Sequence, residues 1–171
     1  TREAMKTRQF WLIASGATAS ATGINAVGVH VMPSLLSIEI SRSTASFLAA
    51  LVVMSSIAGR LGFGWLGDRF NKRYLFGLAL FMQAAALLVL ASSHSLWQAV
   101  IFAVLFGPGY GGVTTLRFSI QAEYFGRRAF GSIQGLLSGI HTIGTIIGPV
   151  FVGWLYDTKG NYTLAWLILG L

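Results

Sequence analysis

Long uninterrupted apolar runs constrain this chain more than any other feature of its sequence. Five runs and the beginning of a sixth follow one another along 171 residues: 10–36, 45–67, 74–91, 96–116, 130–156 and 162 to the end. A helix needs about 20 apolar residues to cross the hydrocarbon core of a bilayer, so the first five are long enough. Because the runs lack the apolar–polar alternation of barrel strands, they predict membrane-spanning helices.

Composition supports a membrane protein and argues against several other classes. Hydrophobic residues make up 54% of the chain and charged residues only 10%, whereas soluble domains average about 25% charged residues. The net charge of +7 comes from short basic clusters between apolar runs, which is typical of membrane topology and not of nucleic-acid binding. The chain has no cysteine, so disulfides and thiolate metal sites are excluded. We expect no metal, no cofactor and no enzymatic activity.

The basic clusters predict how the helices are oriented. The links after the first, third and fifth runs hold only two basic residues, Arg42 and Lys159. Two further bases, Arg60 and Arg117, fall within runs. By the positive-inside rule, the start of the chain and the links after the second and fourth runs face the cytoplasm. The bases on that side are Arg2, Lys6, Arg8, Arg69, Lys72, Arg73, Arg127 and Arg128.

A short repeated motif relates the two halves of the chain. The letters GWL-x-D occur at residues 64–68 and 153–157, three helices apart, and the predicted orientation puts them on opposite sides of the membrane. Such inverted repeats are typical of secondary transporters, and here they cover roughly residues 10–91 and 96–171. The first residue is not Met and the last run is too short to span. We therefore expect a piece of a longer protein, with its sixth helix truncated.

The link after the second run carries a family signature. Its letters GWLGDRFNKR, residues 64–73, resemble the cytoplasmic G-x-L-a-D-R-x-G-R-R signature of the major facilitator superfamily. The phrases RQFW, HVMPSL, FGPGYGG, EYFGRRAFGSIQG and GPVFVGWLYDTKGNY resemble the last six helices of the branch that holds oxalate:formate antiporters and monocarboxylate transporters. The resemblance implies that residues 1–171 form an all-α, polytopic bundle, the C-terminal half of a twelve-helix transporter.

The resemblance also implies a gating role for this link. In the family, the aspartate pairs with the N-terminus of a neighbouring helix and latches the cytoplasmic side; here it is Asp68, and its neighbour belongs to the other half of the transporter. Arg69 and Arg73 follow it and suit the negative end of the helix dipole. A simple topology anchor is the alternative. Asn71 stands where the signature has glycine, and we expect it to adopt the left-handed turn conformation.

Polar residues at helical spacing predict which helices face a cavity. They recur on the first, second, fourth and fifth helices, whereas the third offers only Gln83 and is expected to be outer scaffold. The candidate substrate-binding residues are Arg60, His141, Asn25, Tyr110 and Gln134.

Arg60 is the most specific of these candidates. It lies eight residues before Asp68, or about 12 Å along a helix, which puts it near the bilayer midplane, where transporters bind substrate. A charge at this depth costs at least ~2.5–3.5 kcal/mol and therefore needs a partner. The resemblance implies that an arginine in this helix binds the substrate carboxylate. Structural pairing within the bundle is the alternative.

Other polar residues have two interpretations. His141 either couples protons or binds an anion, or it is a neutral histidine satisfied by its own helix. Arg117 is expected to pair with Glu123, and His30 is either interfacial or functional. Some oxalate-type relatives have a lysine in the fifth helix; this chain has none there, which favours a monocarboxylate over a dicarboxylate. Close helix packing is predicted for Gly131, Gly135, Gly139, Gly144 and Gly148.

The predicted function is secondary active transport of a small organic anion by alternating access, in a multi-pass protein of the cell membrane such as the bacterial inner membrane. Expected partners are the anionic substrate, the lipid bilayer and the N-terminal half of the same transporter. An efflux carrier of another small molecule and a standalone six-helix scaffold stay open. An intramembrane serine protease is disfavoured. It would need a G-x-S-G motif and a histidine on another helix, but here Leu136 stands at the first glycine and Ser138 shares one helix with His141.

Overall fold

The computed structural model describes residues 2–126 and 130–171, and these residues are almost entirely helical. Helices α2 to α6 are each long and apolar enough to cross a membrane, which confirms the predicted all-α bundle with five spans. Arg127 and Arg128, two of the bases predicted to face the cytoplasm, lie outside the described residues. In chain order the helices are α1 (Arg2–Met5), α2 (Arg8–Leu36), α3 (Arg42–Arg69), α4 (Lys72–Ala91), α5 (Leu96–Phe125), α6 (Phe130–Lys159) and α7 (Thr163–Gly170).

The fourth span, α5, is longer than its apolar run. The run ends at Leu116, but the backbone stays helical to Phe125 and stops at Gly126, which has a φ of 68°. With its ψ of 165°, this positive-φ conformation is open mainly to glycine, so Gly126 lets the chain leave the helix. Polar residues therefore occupy the last two turns of α5 without breaking it.

Local sequence explains where two of the spans begin. Ser41 is the N-cap of α3, and its Oγ accepts a hydrogen bond from the Thr44 backbone N–H at 3.3 Å. Ser95 is the N-cap of α5 but does not cap with its side chain. Instead Gln98 reaches back, and its Oε1 accepts bonds from the His94 N–H at 2.8 Å and the Ser95 hydroxyl at 3.1 Å. Both helices thus begin directly after a serine.

The expectation of a left-handed Asn71 is wrong. This residue has φ −64° and ψ 112°, and it is the N-cap of α4. Its Oδ1 accepts a hydrogen bond from the Arg73 backbone N–H at 3.0 Å. An asparagine side chain can satisfy a free N–H of the first turn, which glycine cannot do. The side chain therefore fixes an extended cap where the family signature has a flexible glycine.

Two hydrophobic clusters divide the core by depth. One lies at the end of the bundle that holds the starts of α2, α4 and α6 and the ends of α3 and α5, here called the basic end. Its members include Phe10, Phe63, Phe76, Leu116 and Ile133. The other cluster lies at the opposite end and includes Leu35, Leu48, Phe102, Leu155 and Trp166. This division is the one that successive antiparallel helices produce.

Helix packing is reciprocal between the first three spans and the last three helices. Helix α2, the first of its set, packs on α6, the second helix of the other set. Helix α3, the second of its set, packs on α5, the first helix of the other set. Helix α4 lies against both α5 and α7. A two-fold relation between two three-helix repeats produces this kind of exchange.

Glycines on α5 and α6 make the closest of these contacts possible. A Cβ at Gly111 would collide with the Ser56 carbonyl oxygen of α3 and lie 2.7 Å from the Arg60 backbone nitrogen. On α6, a Cβ at Gly144 would come 2.7 Å from the Thr18 carbonyl oxygen of α2, and Gly148 meets Thr22 in the same way. The packing predicted for these two α6 glycines is confirmed.

Close packing is not observed at the other three α6 glycines. A Cβ at Gly131, Gly135 or Gly139 would meet no described atom within 4 Å. These positions lie on the exposed side of α6, away from the face that packs on α2. The sequence spacing could not separate the two faces, because glycine occurs on both.

Candidate substrate cavity

A cavity of about 440 Å³ lies between α2, α3 and α5. Asn25 of α2 and Tyr110 of α5 contribute polar side chains to walls that are otherwise mainly apolar. A mainly apolar cavity with a few polar groups is typical of small-molecule sites. The remaining lining residues are Ile24, Val27, Gly28, Val29, Val31, Ala49, Val52, Val53 and Phe106.

Arg60 contacts one of the polar residues of this cavity. Its Nη2 donates a hydrogen bond to the Tyr110 hydroxyl oxygen at 3.4 Å, and its Cζ lies 5.5 Å from the centre of the Tyr110 ring. Among the described residues no carboxylate forms an ion pair with Arg60. Most of the five guanidinium N–H donors are therefore available to an anion.

Asn25 uses part of its side chain within its own helix. Its Nδ2 donates to the Ala21 carbonyl oxygen at 2.9 Å, one turn earlier. Thr114, on the same face of α5 as Tyr110, donates to the carbonyl oxygens of Tyr110 at 2.8 Å and Gly111 at 2.9 Å. These bonds leave Arg60 as the group with most free donors around the cavity.

His141 and Gln134 lie on α6 and are half-buried. Gln134 Nε2 donates to the Ser138 Oγ at 3.1 Å, and Gln134 Oε1 is buried without a partner. In the described part of the chain, no hydrogen bond joins either residue to Arg60, Asn25 or Tyr110. Asn25 and Tyr110 thus line the cavity and Arg60 contacts Tyr110, while the binding role of all five candidates remains a prediction.

The predicted ion pair between Arg117 and Glu123 is wrong. Glu123 accepts instead from Lys72 Nζ at 2.9 Å, which ties the start of α4 to the end of α5. Residues six apart on a helix point about 120° away from each other, so the side chains of Arg117 and Glu123 do not meet. The Arg117 Cζ lies 4.6 Å from the centre of the Phe118 ring. Its Nε is buried and has no hydrogen-bond partner among the described residues.

His30 bridges two helices at the end opposite the basic one. Its Nε2 lies 3.0 Å from the Pro149 carbonyl oxygen of α6. Because a carbonyl can only accept, Nε2 carries the hydrogen of this bond. The ring also lies 5.8 Å from that of Tyr162. This geometry gives His30 a packing role between α2 and α6.

The residues predicted to gate transport lie at the basic end. Asp68 and Arg69 form the last turn of α3 and are exposed. Arg69 stacks on Trp65, with its Cζ 4.0 Å from the ring centre. Arg73 lines a small cavity with Tyr124 and residues of α2. In the described ranges Asp68 has no ion pair, so its carboxylate is open to a partner outside them.

Two buried polar bonds were not predicted. Ser20 of α2 donates to Gln83 Oε1 of α4 at 2.9 Å, so the only polar residue noted on the third span faces a neighbouring helix. Trp166 Nε1 of α7 donates to the Ser34 Oγ at 2.9 Å. The signal available in the sequence was a single polar residue on an apolar helix, which gives no indication of its partner.

Comparison with known proteins identifies the family. Residues 11–171 match the family model of the Major Facilitator Superfamily. "Monocarboxylate transporter 12" of Rattus norvegicus is 33% identical over 167 residues, which cover 94% of this chain and 34% of that protein. The Homo sapiens protein of that name is 32% identical over 165 residues, 94% of this chain and 32% of its own length.

A more distant relative belongs to the same group. "Monocarboxylate transporter 2" of Rattus norvegicus is 23% identical over 168 residues, 96% of this chain and 34% of that protein. The chain thus spans about a third of the length of the curated relatives that it matches. With its five candidate spans and this match along nearly its whole length, the chain belongs to the major facilitator superfamily of membrane transporters, in the monocarboxylate transporter branch.

Proposed function

We propose that this chain is the C-terminal half of a twelve-helix transporter that moves a small monocarboxylate-like anion across a cell membrane by alternating access. The observation that carries the proposal is the guanidinium of Arg60, which has no ion pair among the described residues and contacts Tyr110, a residue of the cavity wall. A guanidinium binds a carboxylate through two parallel N–H donors, and a charge within a membrane span requires such a partner.

The proposed site combines this charge with an apolar pocket. Arg60 binds the carboxylate, Tyr110 orients its guanidinium and shapes the cavity, Asn25 adds a polar contact, and the apolar walls accommodate the rest of a small organic acid. His141 and Gln134 approach the substrate from α6 when the two halves of the transporter enclose it. The names of the relatives, which are monocarboxylate transporters, support an anionic substrate.

The other half of the transporter is the proposed protein partner. Reciprocal packing of the two three-helix sets supports inverted repeats at roughly residues 10–91 and 96–171. In this proposal Asp68, Arg69 and Arg73 latch the cytoplasmic side against the N-terminal half. The proposed environment is a lipid bilayer and the proposed role is transport, not catalysis. The relatives named above are from Rattus norvegicus and Homo sapiens, so a bacterial inner membrane stays a prediction.

An efflux carrier of another small molecule is the second candidate. The observation that favours it is the predominance of apolar residues in the cavity wall, which suits an uncharged substrate as well. The two candidates differ in whether transport depends on the charge of Arg60.

Uptake into proteoliposomes tests the choice. The full-length transporter, as wild type, Arg60→Gln and Arg60→Lys, is assayed with a panel of mono- and dicarboxylates. We expect wild type to take up a monocarboxylate, Arg60→Gln to lose at least 95% of that uptake, and Arg60→Lys to retain part of it. Equal uptake by wild type and Arg60→Gln, at equal amounts of inserted protein, supports the efflux candidate instead.

A further inference from the structure

Arg117 is the second arginine within a membrane-spanning helix, and the site described so far gives it no role. It lies seven residues after Tyr110 on α5. It therefore shares a helix face with Tyr110 and lies about 10 Å closer to the basic end. Two cations, Arg60 beside Tyr110 and Arg117 below it, are thus arranged in order along one face of α5.

The charge of Arg117 is not neutralised by the described residues. The ion pair found among them joins Lys72 and Glu123, and Arg117 Nε is buried without a hydrogen-bond partner. Phe118 provides a cation–π contact, which partly compensates the charge but accepts no hydrogen bond in the guanidinium plane. The donors in that plane are suited to an anion.

Gln121 provides a second, independent observation. It lies one turn beyond Arg117, its side chain is fully buried at 0% exposed, and neither its Nε2 nor its Oε1 has a partner in the part of the chain that the structure describes. Buried amides without partners are rare in folded proteins. Two neighbouring side chains on one helix face therefore hold unused N–H donors.

The surroundings place this pair beside α6. Leu116 and Ile120 of α5 pack in the same hydrophobic cluster as Ile133 and Leu137 of α6. The start of α6 therefore lies at the same level of the bundle as Arg117 and Gln121.

From this geometry we propose that Arg117 and Gln121 form a second anion-binding site, which holds the carboxylate of the transported anion between its release from Arg60 and its exit at the basic end. This inference rests on the proposed function, because the occupant is the same substrate. The guanidinium provides two parallel donors to the carboxylate, and the Gln121 amide provides a third.

The first test measures transport by the full-length protein in proteoliposomes. At a carboxylate concentration below half-saturation, we expect Arg117→Gln to lower the initial rate at least tenfold. Arg117→Lys keeps the charge and should retain at least a third of the rate. Arg117→Gln rates equal to those of wild type overturn the proposal.

A chemical rescue separates binding from packing. The described half has no cysteine, so Arg117→Cys, with any cysteine of the other half replaced, introduces a single thiol. We expect a cationic methanethiosulfonate reagent to restore at least a third of the rate, and an anionic reagent to restore none. The carboxylate should slow the cationic modification at least fivefold, whereas its neutral carboxamide should not.

The control and the contrary outcomes are specific. Phe118→Cys, at the exposed position next to Arg117, should react with the cationic reagent at the same rate with and without the carboxylate. If the thiol of Arg117→Cys behaves in this way too, Arg117 is not on the substrate path and the inference is overturned, while loss of uptake in Arg60→Gln leaves the proposed function standing. If wild type transports no carboxylate, the proposed function and this inference are both overturned.

Discussion

Arg60 and Arg117 are chemically identical, and their neighbours decide how each can act. Arg60 is exposed and contacts a hydroxyl that weakly orients it, whereas Arg117 is half-buried and its Nε has no partner among residues 2–126 and 130–171. Tyr110 connects the two, because it contacts the first and shares a helix face with the second. At the scale of single residues, the most informative contact is therefore the one between Arg60 and Tyr110.

Removing the Tyr110 hydroxyl should weaken substrate binding without abolishing it. The hydrogen bond from Arg60 is long, at 3.4 Å, so its net contribution is about 1 kcal/mol or less. Tyr110→Phe should therefore raise the half-saturating carboxylate concentration about two- to fivefold, as measured by uptake. Tyr124→Phe, at the basic end, should leave this concentration unchanged. A hundredfold loss in Tyr110→Phe contradicts the expectation, because it requires the hydroxyl to contact the substrate directly.

The sequence singled out Arg60, whose binding role stays a prediction, and it assigned the wrong partner to Glu123. Proximity along the chain suggested Arg117, yet the partner is Lys72 on another helix. Asn71 shows a similar limit, since its tolerance of left-handed backbone suggested a turn and its capping oxygen decided the conformation. In both cases a contact specific to the folded chain determines the outcome.

Among the helices, α5 has the tightest packing constraints. A Cβ at Gly107 or Gly111 would collide with α3, and one at Gly109 or Gly112 would come within 3.0 Å of atoms of α4. Helix α5 therefore depends on glycine on two faces at once, and it fixes the backbone of α3 at the position of Arg60.

A methyl group at Gly111 should misplace Arg60. The added Cβ would lie 2.7 Å from the Arg60 nitrogen, and overpacking of this kind typically destabilises by about 1–3 kcal/mol. Gly111→Ala should lower carboxylate uptake at least tenfold and lower the melting temperature of the purified protein. Gly62→Ala is the matched control, because a Cβ there meets nothing within 4 Å; its uptake should stay within twofold of wild type. Normal uptake by Gly111→Ala argues against this positioning role.

Element by element, the spans could be predicted because about 20 apolar residues in a row have few alternatives to a transmembrane helix. The length of α5 could not, because Arg117, Gln121 and Glu123 end the apolar signal while the helix continues. The α6 glycines could not be divided between packed and open faces either. Hydropathy reports depth in the membrane, whereas helix length and packing depend on neighbours.

Over the whole molecule, the charge difference between the two ends predicts a single orientation in the membrane. Phe70, between α3 and α4, and Ser92, after α4, are both exposed and lie at opposite ends. With an impermeant maleimide on intact cells, Ser92→Cys should be labelled and Phe70→Cys should be labelled only after permeabilisation. Ala79→Cys, at 0% exposed, should react in neither case. The reverse pattern for the two exposed positions contradicts the positive-inside assignment.

The up-and-down topology was predictable, but the choice of helix partners was not. Nothing in the apolar runs distinguishes α6 as the partner of α2, and the cavity residues Asn25 and Tyr110 come from helices far apart in sequence. Periodicity singled out Asn25 on α2 and Tyr110 on α5, and both line the cavity. It could not decide whether His141 and Gln134 reach the same cavity, because that depends on how α6 sits against α2.

The reciprocal packing has a consequence for biosynthesis. About 120 residues separate the end of α2 from the end of its main partner, α6. At a translation rate of ~5–20 residues per second, this distance corresponds to roughly 6–25 seconds. During that interval α2 sits in the bilayer with Thr18 and Thr22 not yet covered by α6. The nascent chain therefore depends on α3 and α4, or on the insertion machinery, to shield these polar side chains from lipid.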